Sequence, residues 1–183
     1  GSYFFRIGIF LLPSALSISI VFLLLSLLQS IFANYKTFFN EKYSYLLVGC
    51  MFAMPITCLI QSLYFNSQFS NFNLNLLWLG LVNWIPLFLC FFGFKKYLET
   101  LEQRLLAGKI LIAGTVPVIV SCFGQYWFGW YGPLETLNGL IIWYQRPMGF
   151  PNYDGMTGLF NNPNYTGAWF CSILPISIVL AFK

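Results

Sequence analysis

Long apolar stretches separated by short polar segments dominate this chain. Runs without Asp, Glu, Lys or Arg cover residues 13–33, 45–64, 76–94, 110–128 and 163–182. At a rise of about 1.5 Å per residue, each run is close to the ~20 residues that a helix needs to cross the hydrocarbon core of a bilayer. The pattern predicts an all-α fold, a polytopic transmembrane helix bundle with about five spanning helices and short interfacial helices.

Two shorter segments are predicted to lie as helices on the membrane surface. In Lys95–Lys109, leucines recur at helical spacing among charged residues. Leu134–Tyr144 is mostly apolar, and Pro147 limits how far a helix there extends. Both segments are therefore interpreted as interfacial helices that connect spans.

The composition supports a membrane location. Hydrophobic residues make up 58% of the 183 residues and charged residues only 8%, too few to cover a soluble surface. Residues 1–183 are interpreted as a single membrane domain whose main partner is the lipid bilayer. The net charge of +4 comes from Lys and Arg scattered along the chain, so we expect no nucleic-acid binding.

The basic residues also predict how the spans are oriented. Placing the segments 35–43 and 95–109 in the cytoplasm leaves only Arg6 and Arg146 of the nine basic residues outside, as the positive-inside rule favours. The loop 129–162 is then extracytoplasmic. Any ligand of this loop would approach from the outer face of the membrane.

Several catalytic chemistries are excluded by residue types that are absent or misplaced. Histidine is absent, which removes the usual general base and the commonest metal ligand. The five cysteines lie inside apolar runs without CxxC spacing, so neither disulfides nor a zinc site is expected. We expect no cofactor, no metal and no Ser-His or Cys-His catalytic pair in this chain.

A polar turn before the last apolar run is the best candidate for a binding site. Asn161, Asn162 and Asn164 supply amide donors and acceptors, and Pro163 suits the first turn of a helix that Asn162 would cap. A helix N-terminus with a guanidinium nearby, here that of Arg146, suits phosphate oxygens. The candidate residues for binding a diphosphate or a glycan are Arg146, Asp154, Asn161, Asn162, Asn164 and Tyr165.

Plainer interpretations of these features stay open. Asn162 suits a purely structural cap, and Arg146 suits an anchor among lipid headgroups. The aromatic residues between Tyr126 and Tyr131 are typical of a membrane-interface belt, but such rings also stack on sugars or line a lipid groove. Residue types alone do not decide between these interpretations.

The segment Gly158–Gly167, GLFNNPNYTG, resembles the G-[LTF]-F-x-N-P-N-x-x-[GA] signature of the O-antigen ligase and O-antigen polymerase (Wzy-type) superfamily. Its members are multi-spanning bacterial membrane proteins, and some cyanobacterial relatives are labelled as bicarbonate-transport proteins. The resemblance covers about ten residues of motif, and the hydrophobic polytopic character of the chain accompanies it.

The resemblance implies a glycosyltransferase of polysaccharide or lipopolysaccharide biosynthesis in the bacterial inner (plasma) membrane. Such enzymes transfer a glycan from undecaprenyl diphosphate to an acceptor on the extracytoplasmic face, with arginines holding the diphosphate and a later outer-loop histidine activating the acceptor. Many members carry Arg at the position of Met156, so the diphosphate role passes to Arg146 only by inference. The histidine would lie beyond Lys183. We therefore expect an amino-terminal fragment that is inactive by itself.

Two other function classes remain open. A transporter of bicarbonate or another small solute normally places ionisable groups inside its spans, and the predicted spans contain no Asp, Glu, Lys or Arg. A structural membrane protein would make the polar turn a coincidence. The glycan, the acceptor and the oligomeric state are not fixed by the sequence.

Overall fold

The computed structural model describes residues 1–34, 42–68, 88–147 and 155–182. The protein is mostly helical, with 72% helix and six helices in this described part. The helices are α1 (Ser2–Leu11), α2 (Leu16–Asn34), α3 (Lys42–Gln68), α4 (88–95), α5 (Leu101–Phe128) and α6 (Pro163–Ala181). One antiparallel pair of strands, β1 (Leu134–Thr136) and β2 (Ile141–Trp143), lies between α5 and α6.

Three helices are long and apolar enough to cross a membrane, namely α2 over Leu16–Ala33, α5 and α6. They coincide with the predicted spans at 13–33, 110–128 and 163–182, so the chain is a membrane protein. The predicted count of about five spans is not confirmed. The apolar part of α3, Val48–Leu63, is shorter than these three, and residues 76–87 of the remaining predicted span lie outside the described residues.

The predicted interfacial helix at 95–109 is wrong, because most of that segment belongs to α5. The chain turns at 96–100, and α5 then continues without a break to Phe128. A capping box fixes its start: the Gln103 amide N donates to Thr100 Oγ1 at 3.2 Å, and the Thr100 amide N donates to Gln103 Oε1 at 3.1 Å. This reciprocal pair satisfies N–H groups that a helix start leaves free.

The second predicted surface helix, Leu134–Tyr144, is also wrong, because the segment is a β-hairpin. Asn138 and Gly139 have φ values of 55° and 83°, and the Leu140 amide N donates to Leu137 O at 3.2 Å. Leu137 also has a positive φ of 53°, so the four residues 137–140 connect the strands. Positive φ at Asn138 and Gly139, the central residues of this turn, is the pattern of a type I′ turn. The Asn-Gly pair therefore overrides the apolar composition that suited a helix.

The described residues form two compact units, Gly1–Ser26 with Tyr97–Lys183 and, separately, Leu27–Lys96. In the first unit, both α1 and α6 pack on α5. The α1 contact is so close that Gly114 faces the Phe10 carbonyl with no room for a Cβ. No helix was predicted at the position of α1, whose ten residues are too few to span a bilayer. In the second unit, α4 meets α2 where Gly93 touches the Leu27 side chain.

The hairpin and the polar turn are packed against α5. Val118 and Cys122 of α5 form a small buried cluster with Leu159, and Trp143 and Phe160 pack against it. The hairpin is also fixed at its far side, since Trp143 Nε1 donates to Ser14 O at 2.7 Å. The core of the first unit therefore lies directly beneath the predicted binding segment.

Candidate functional site

The polar turn caps α6 as predicted. Asn162 is the N-cap, its Oδ1 accepting from the Asn164 amide N at 2.8 Å, and Pro163 takes the first helical position. The Tyr165 amide N donates to Asn162 O at 3.1 Å. The first amides of the helix are therefore satisfied within the chain, so a ligand here would be held mainly by side chains rather than by free backbone N–H groups.

Thr157 joins Arg146 to the first turn of α6. Its Oγ1 accepts from the Arg146 amide N at 2.9 Å, and its carbonyl accepts from the Thr166 hydroxyl. Thr157 is almost fully buried, with 1% of its surface exposed. Arg146 and the asparagine turn, which are well separated in sequence, therefore lie on either side of one buried residue.

Gln125 of α5 forms hydrogen bonds with residues on both sides of this junction. Its Nε2 donates to Arg146 O and to Thr157 Oγ1, each at 3.1 Å, and its Oε1 accepts from the Gly158 amide N at 2.8 Å. The side chain is 4% exposed, so these bonds form out of contact with water. An amide buried with its donors and acceptor paired fixes the backbone on both sides of the site.

Sequence analysis missed Gln125. The available signal was a polar residue within the apolar run 110–128, at helical spacing from Ser121. These residues share the buried face of α5 with Val118 and Cys122. A polar residue in a membrane helix normally faces protein rather than lipid, which is the argument that would have singled it out.

Arg146 is half-buried and carries the positive charge of the site. Both of its backbone polar groups are bonded, to Thr157 and Gln125, but its guanidinium has no hydrogen bond or ion pair with any residue that the structure describes. Asp154, another of the predicted binding residues, lies outside the described residues. Within the described part, Arg146 is thus a fixed cation whose charge is not neutralised.

The other predicted residues lie in the turn that follows Thr157 and in the first turn of α6. Asn161, Asn164 and Tyr165 are exposed, and Asn162 is half-buried with its Oδ1 already used in the cap. Their remaining amide and phenol groups make no hydrogen bond with the residues that the structure describes. The arrangement is suited to binding a polar anionic group.

Two residues of the motif serve packing instead of binding. Gly158 has φ of 57°, and a Cβ there would lie 3.0 Å from Val118 Cγ1 and 3.1 Å from Cys122 Sγ. Leu159 is 5% exposed and belongs to the buried cluster. The beginning of the motif therefore anchors the turn to α5, and its asparagine end faces outward.

Gln145 adds a buried acceptor next to Arg146. It is 2% exposed, its Nε2 donates to Ser121 Oγ at 2.9 Å, and its Oε1 has no partner in the described part of the chain. Its φ of 37° is in the left-handed region. Such buried unpaired atoms are rare in proteins.

An apolar groove of about 340 Å³ lies between α5 and α6 beside this junction. Its lining includes Ile119, Phe123, Tyr126, Trp127, Met156 and Phe170. At the carboxyl-terminal end of α5 the rings of Phe123 and Trp127 stack with their centroids 4.8 Å apart. Tyr126, Trp127, Phe128 and Tyr131 are all exposed, which is compatible with both interpretations of the aromatic run.

The described residues bring together no group of three His, Cys, Asp or Glu side chains that would hold a metal ion. The chemistry that this part of the chain supplies is therefore that of guanidinium, amide, hydroxyl and aromatic groups. These groups bind and orient a ligand, but they include no strong base at neutral pH.

No protein-family model, no curated protein and no solved structure matches the chain.

Proposed function

We propose that this chain binds a polyprenyl-diphosphate-linked glycan as part of a membrane glycosyltransferase of the O-antigen ligase and polymerase type. The observation that supports this most strongly is the junction at Thr157, which holds Arg146 beside the first turn of α6. The guanidinium there has no partner among the described residues, so an anionic group would supply the missing charge.

Each part of the site has a role in holding such a donor. The Arg146 guanidinium would bind diphosphate oxygens as a bidentate donor, and its fixed backbone limits the entropy lost on binding. The exposed amides of Asn161 and Asn164 and the Tyr165 phenol would contact the diphosphate or the first sugar. Asp154, which lies outside the described residues, remains a candidate partner for sugar hydroxyls.

The proposed side of the membrane follows from the basic residues. Arg104 and Lys109 lie in the first part of α5, and the positive-inside rule places that end in the cytoplasm. The opposite end of α5, the hairpin and Arg146 then face the extracytoplasmic side. That is the side on which a lipid-linked glycan is used in this superfamily, and the proposed location is the bacterial inner membrane.

The proposed reaction breaks the bond between the anomeric carbon and the diphosphate oxygen. The acceptor oxygen bonds to that carbon, its proton passes to a base, and polyprenyl diphosphate leaves with the electron pair. Arg146 would stabilise the charge that develops on the leaving group. The base is not in this chain, which has no histidine, and the resemblance implies that a histidine elsewhere in the protein supplies it.

The test is glycan transfer by the protein that carries this chain in the cell. Arg146→Ala removes a charged hydrogen-bond donor worth ~1.5–3 kcal/mol, so transfer should fall about 10- to 100-fold with normal membrane insertion. Arg6→Ala is the matched control, since Arg6 lies on α1 with its guanidinium 5.9 Å from the Tyr3 ring centre. Unchanged transfer in Arg146→Ala would refute the role of this residue.

A transporter is the alternative that the sequence left open. It would require coupled movement of a small solute, and no contact among the described residues favours it. Uptake of labelled bicarbonate into vesicles that contain the protein, with no glycan transfer, would replace the glycosyltransferase proposal.

A further inference from the structure

The apolar groove between α5 and α6 has no role in the site described so far. Its walls come from the outer half of α5, from Phe170 of α6 and from Met156 in the preceding turn, and only apolar atoms face it. An apolar groove at the surface of two membrane helices is open to hydrocarbon chains. None of the predicted binding residues lines it.

Two chain connections place this groove next to Arg146. Met156 lines the groove and precedes Thr157, whose Oγ1 accepts from the Arg146 amide N at 2.9 Å. Tyr126 also lines it and follows Gln125, whose Nε2 donates to Arg146 O at 3.1 Å. Both walls are therefore one residue away from groups that hold Arg146. The backbone of Arg146 therefore lies near the groove, and a cation close to an apolar groove complements a molecule with an anionic head and a hydrocarbon tail.

We propose that the groove takes the isoprenoid units next to the diphosphate of the lipid donor, an assignment that rests on the proposed function. Its volume of about 340 Å³ is roughly twice the ~150 Å³ cavity that accommodates one benzene ring. The groove therefore holds on the order of a dozen carbon atoms, about two isoprene units. The remainder of the chain stays in the bilayer.

The position of the groove along α5 fits this occupant. Tyr126 and Trp127 line its outer end and are exposed, as aromatic residues at a membrane interface are. A lipid diphosphate has its charged head at that level and its tail below it. The groove thus sets the depth and direction in which the tail leaves the head, which fixes the diphosphate against Arg146.

Alkylation of Met156→Cys tests the occupant directly. The variant chain is reconstituted in lipid nanodiscs, N-ethylmaleimide is added, and mass spectrometry follows each cysteine. Undecaprenyl diphosphate at about ten times its Kd should slow the reaction at position 156 about tenfold, because only the unoccupied groove reacts. Cys171, which is exposed on α6 and outside the groove lining, is the internal control and should keep its rate.

Phosphatidylglycerol at the same mole fraction separates the two hydrocarbon sources. It should leave the rate at position 156 unchanged, and equal protection by both lipids would show that the groove takes acyl chains in general, which overturns the proposal. No protection by either lipid, while Arg146-dependent binding of the donor persists, overturns the groove and leaves the proposed function standing. Loss of donor binding altogether would overturn both the groove assignment and the proposed function.

A groove-filling substitution provides the second test, in the protein that carries this chain in the cell. Ile119→Trp places a bulky ring in the groove and should raise the KM for the lipid donor about tenfold, with kcat much less affected, because it competes with the tail. Val120→Trp is the matched control, since Val120 is exposed on the next position of α5 and outside the groove. Equal KM values for the two variants would overturn the proposal.

Discussion

At the scale of single residues, the uncharged side chain of Gln125 holds the backbone of Arg146 in place. Gln125→Leu would leave the Arg146 carbonyl and the Gly158 N–H without their partner in a buried position. Each unsatisfied buried group costs ~1–3 kcal/mol, so for these two groups the free energy of unfolding should fall by about 2–6 kcal/mol. Denaturation by SDS in mixed micelles measures it. Gln29→Leu, on an exposed position of α2, is the control and should change stability little.

The two glycines of the motif should respond to alanine in opposite directions. Gly158→Ala adds a Cβ at a φ of 57° and within 3.1 Å of Val118 and Cys122, so it should destabilise the protein by about 1–3 kcal/mol. Gly167 is helical with nothing within 4 Å of its added Cβ, so Gly167→Ala should stabilise by up to ~1 kcal/mol. Thermal unfolding of both variants measures the difference. Equal shifts in the same direction would contradict this assignment.

How much of the site can be predicted depends on how far apart in the sequence two hydrogen-bonded residues are. The Asn162 cap and Pro163 were predictable because the hydrogen bond joins residues two apart. The bonds of Gln125 join residues 21 to 33 positions apart, and no local pattern reports such pairs. The side-chain types of the site were therefore predictable, while the groups that hold Arg146 in place were not.

At the scale of elements, the start of α5 depends on its capping box. Thr100→Ala removes the acceptor of the Gln103 amide and should cost ~1 kcal/mol of stability, with the first turn of α5 exchanging its amide protons faster. Hydrogen exchange read by mass spectrometry measures this. Thr57→Ala is the control, because its hydroxyl only bonds back to Ala53 O within α3. If both variants exchange alike, the box does not fix the start of α5.

The elements that sequence analysis misassigned share one cause. Apolar residues suit an interfacial helix and a packed strand equally well, so hydrophobicity alone did not separate the hairpin from a helix in Leu134–Tyr144. The deciding signal was the pair Asn138–Gly139, because these residue types adopt the positive φ that a type I′ turn requires. Similarly, Thr100 and Gln103 marked the true helix start inside a segment that leucine spacing alone described as a separate helix.

At the scale of the whole molecule, the spans were the most predictable feature, because bilayer thickness fixes their length. Three of the five predicted spans coincide with α2, α5 and α6 within a few residues, apart from the start of α5 at Leu101, and the predicted count of five is not confirmed. Hydropathy does not indicate sidedness, which rests on the distribution of Lys and Arg.

A labelling experiment in intact cells tests which end of α5 faces the outside of the membrane. Glu135, exposed on β1, and Glu102, exposed near the start of α5, lie at opposite ends of that helix. A membrane-impermeant maleimide should label Glu135→Cys from outside and reach Glu102→Cys only after lysis, because the start of α5 carries Arg104 and Lys109. Labelling of Glu102→Cys in intact cells would reverse the orientation.

The central claim is that Arg146 binds the diphosphate of a lipid-linked donor. The most direct test is equilibrium binding of undecaprenyl diphosphate to the 183-residue chain in nanodiscs, with Arg146→Ala and Arg6→Ala measured alongside. We predict that Arg146→Ala raises Kd about 10- to 100-fold, because a hydrogen bond to a charged group contributes ~1.5–3 kcal/mol, whereas Arg6→Ala leaves Kd unchanged. Equal affinity of the Arg146→Ala and unsubstituted chains would contradict the claim.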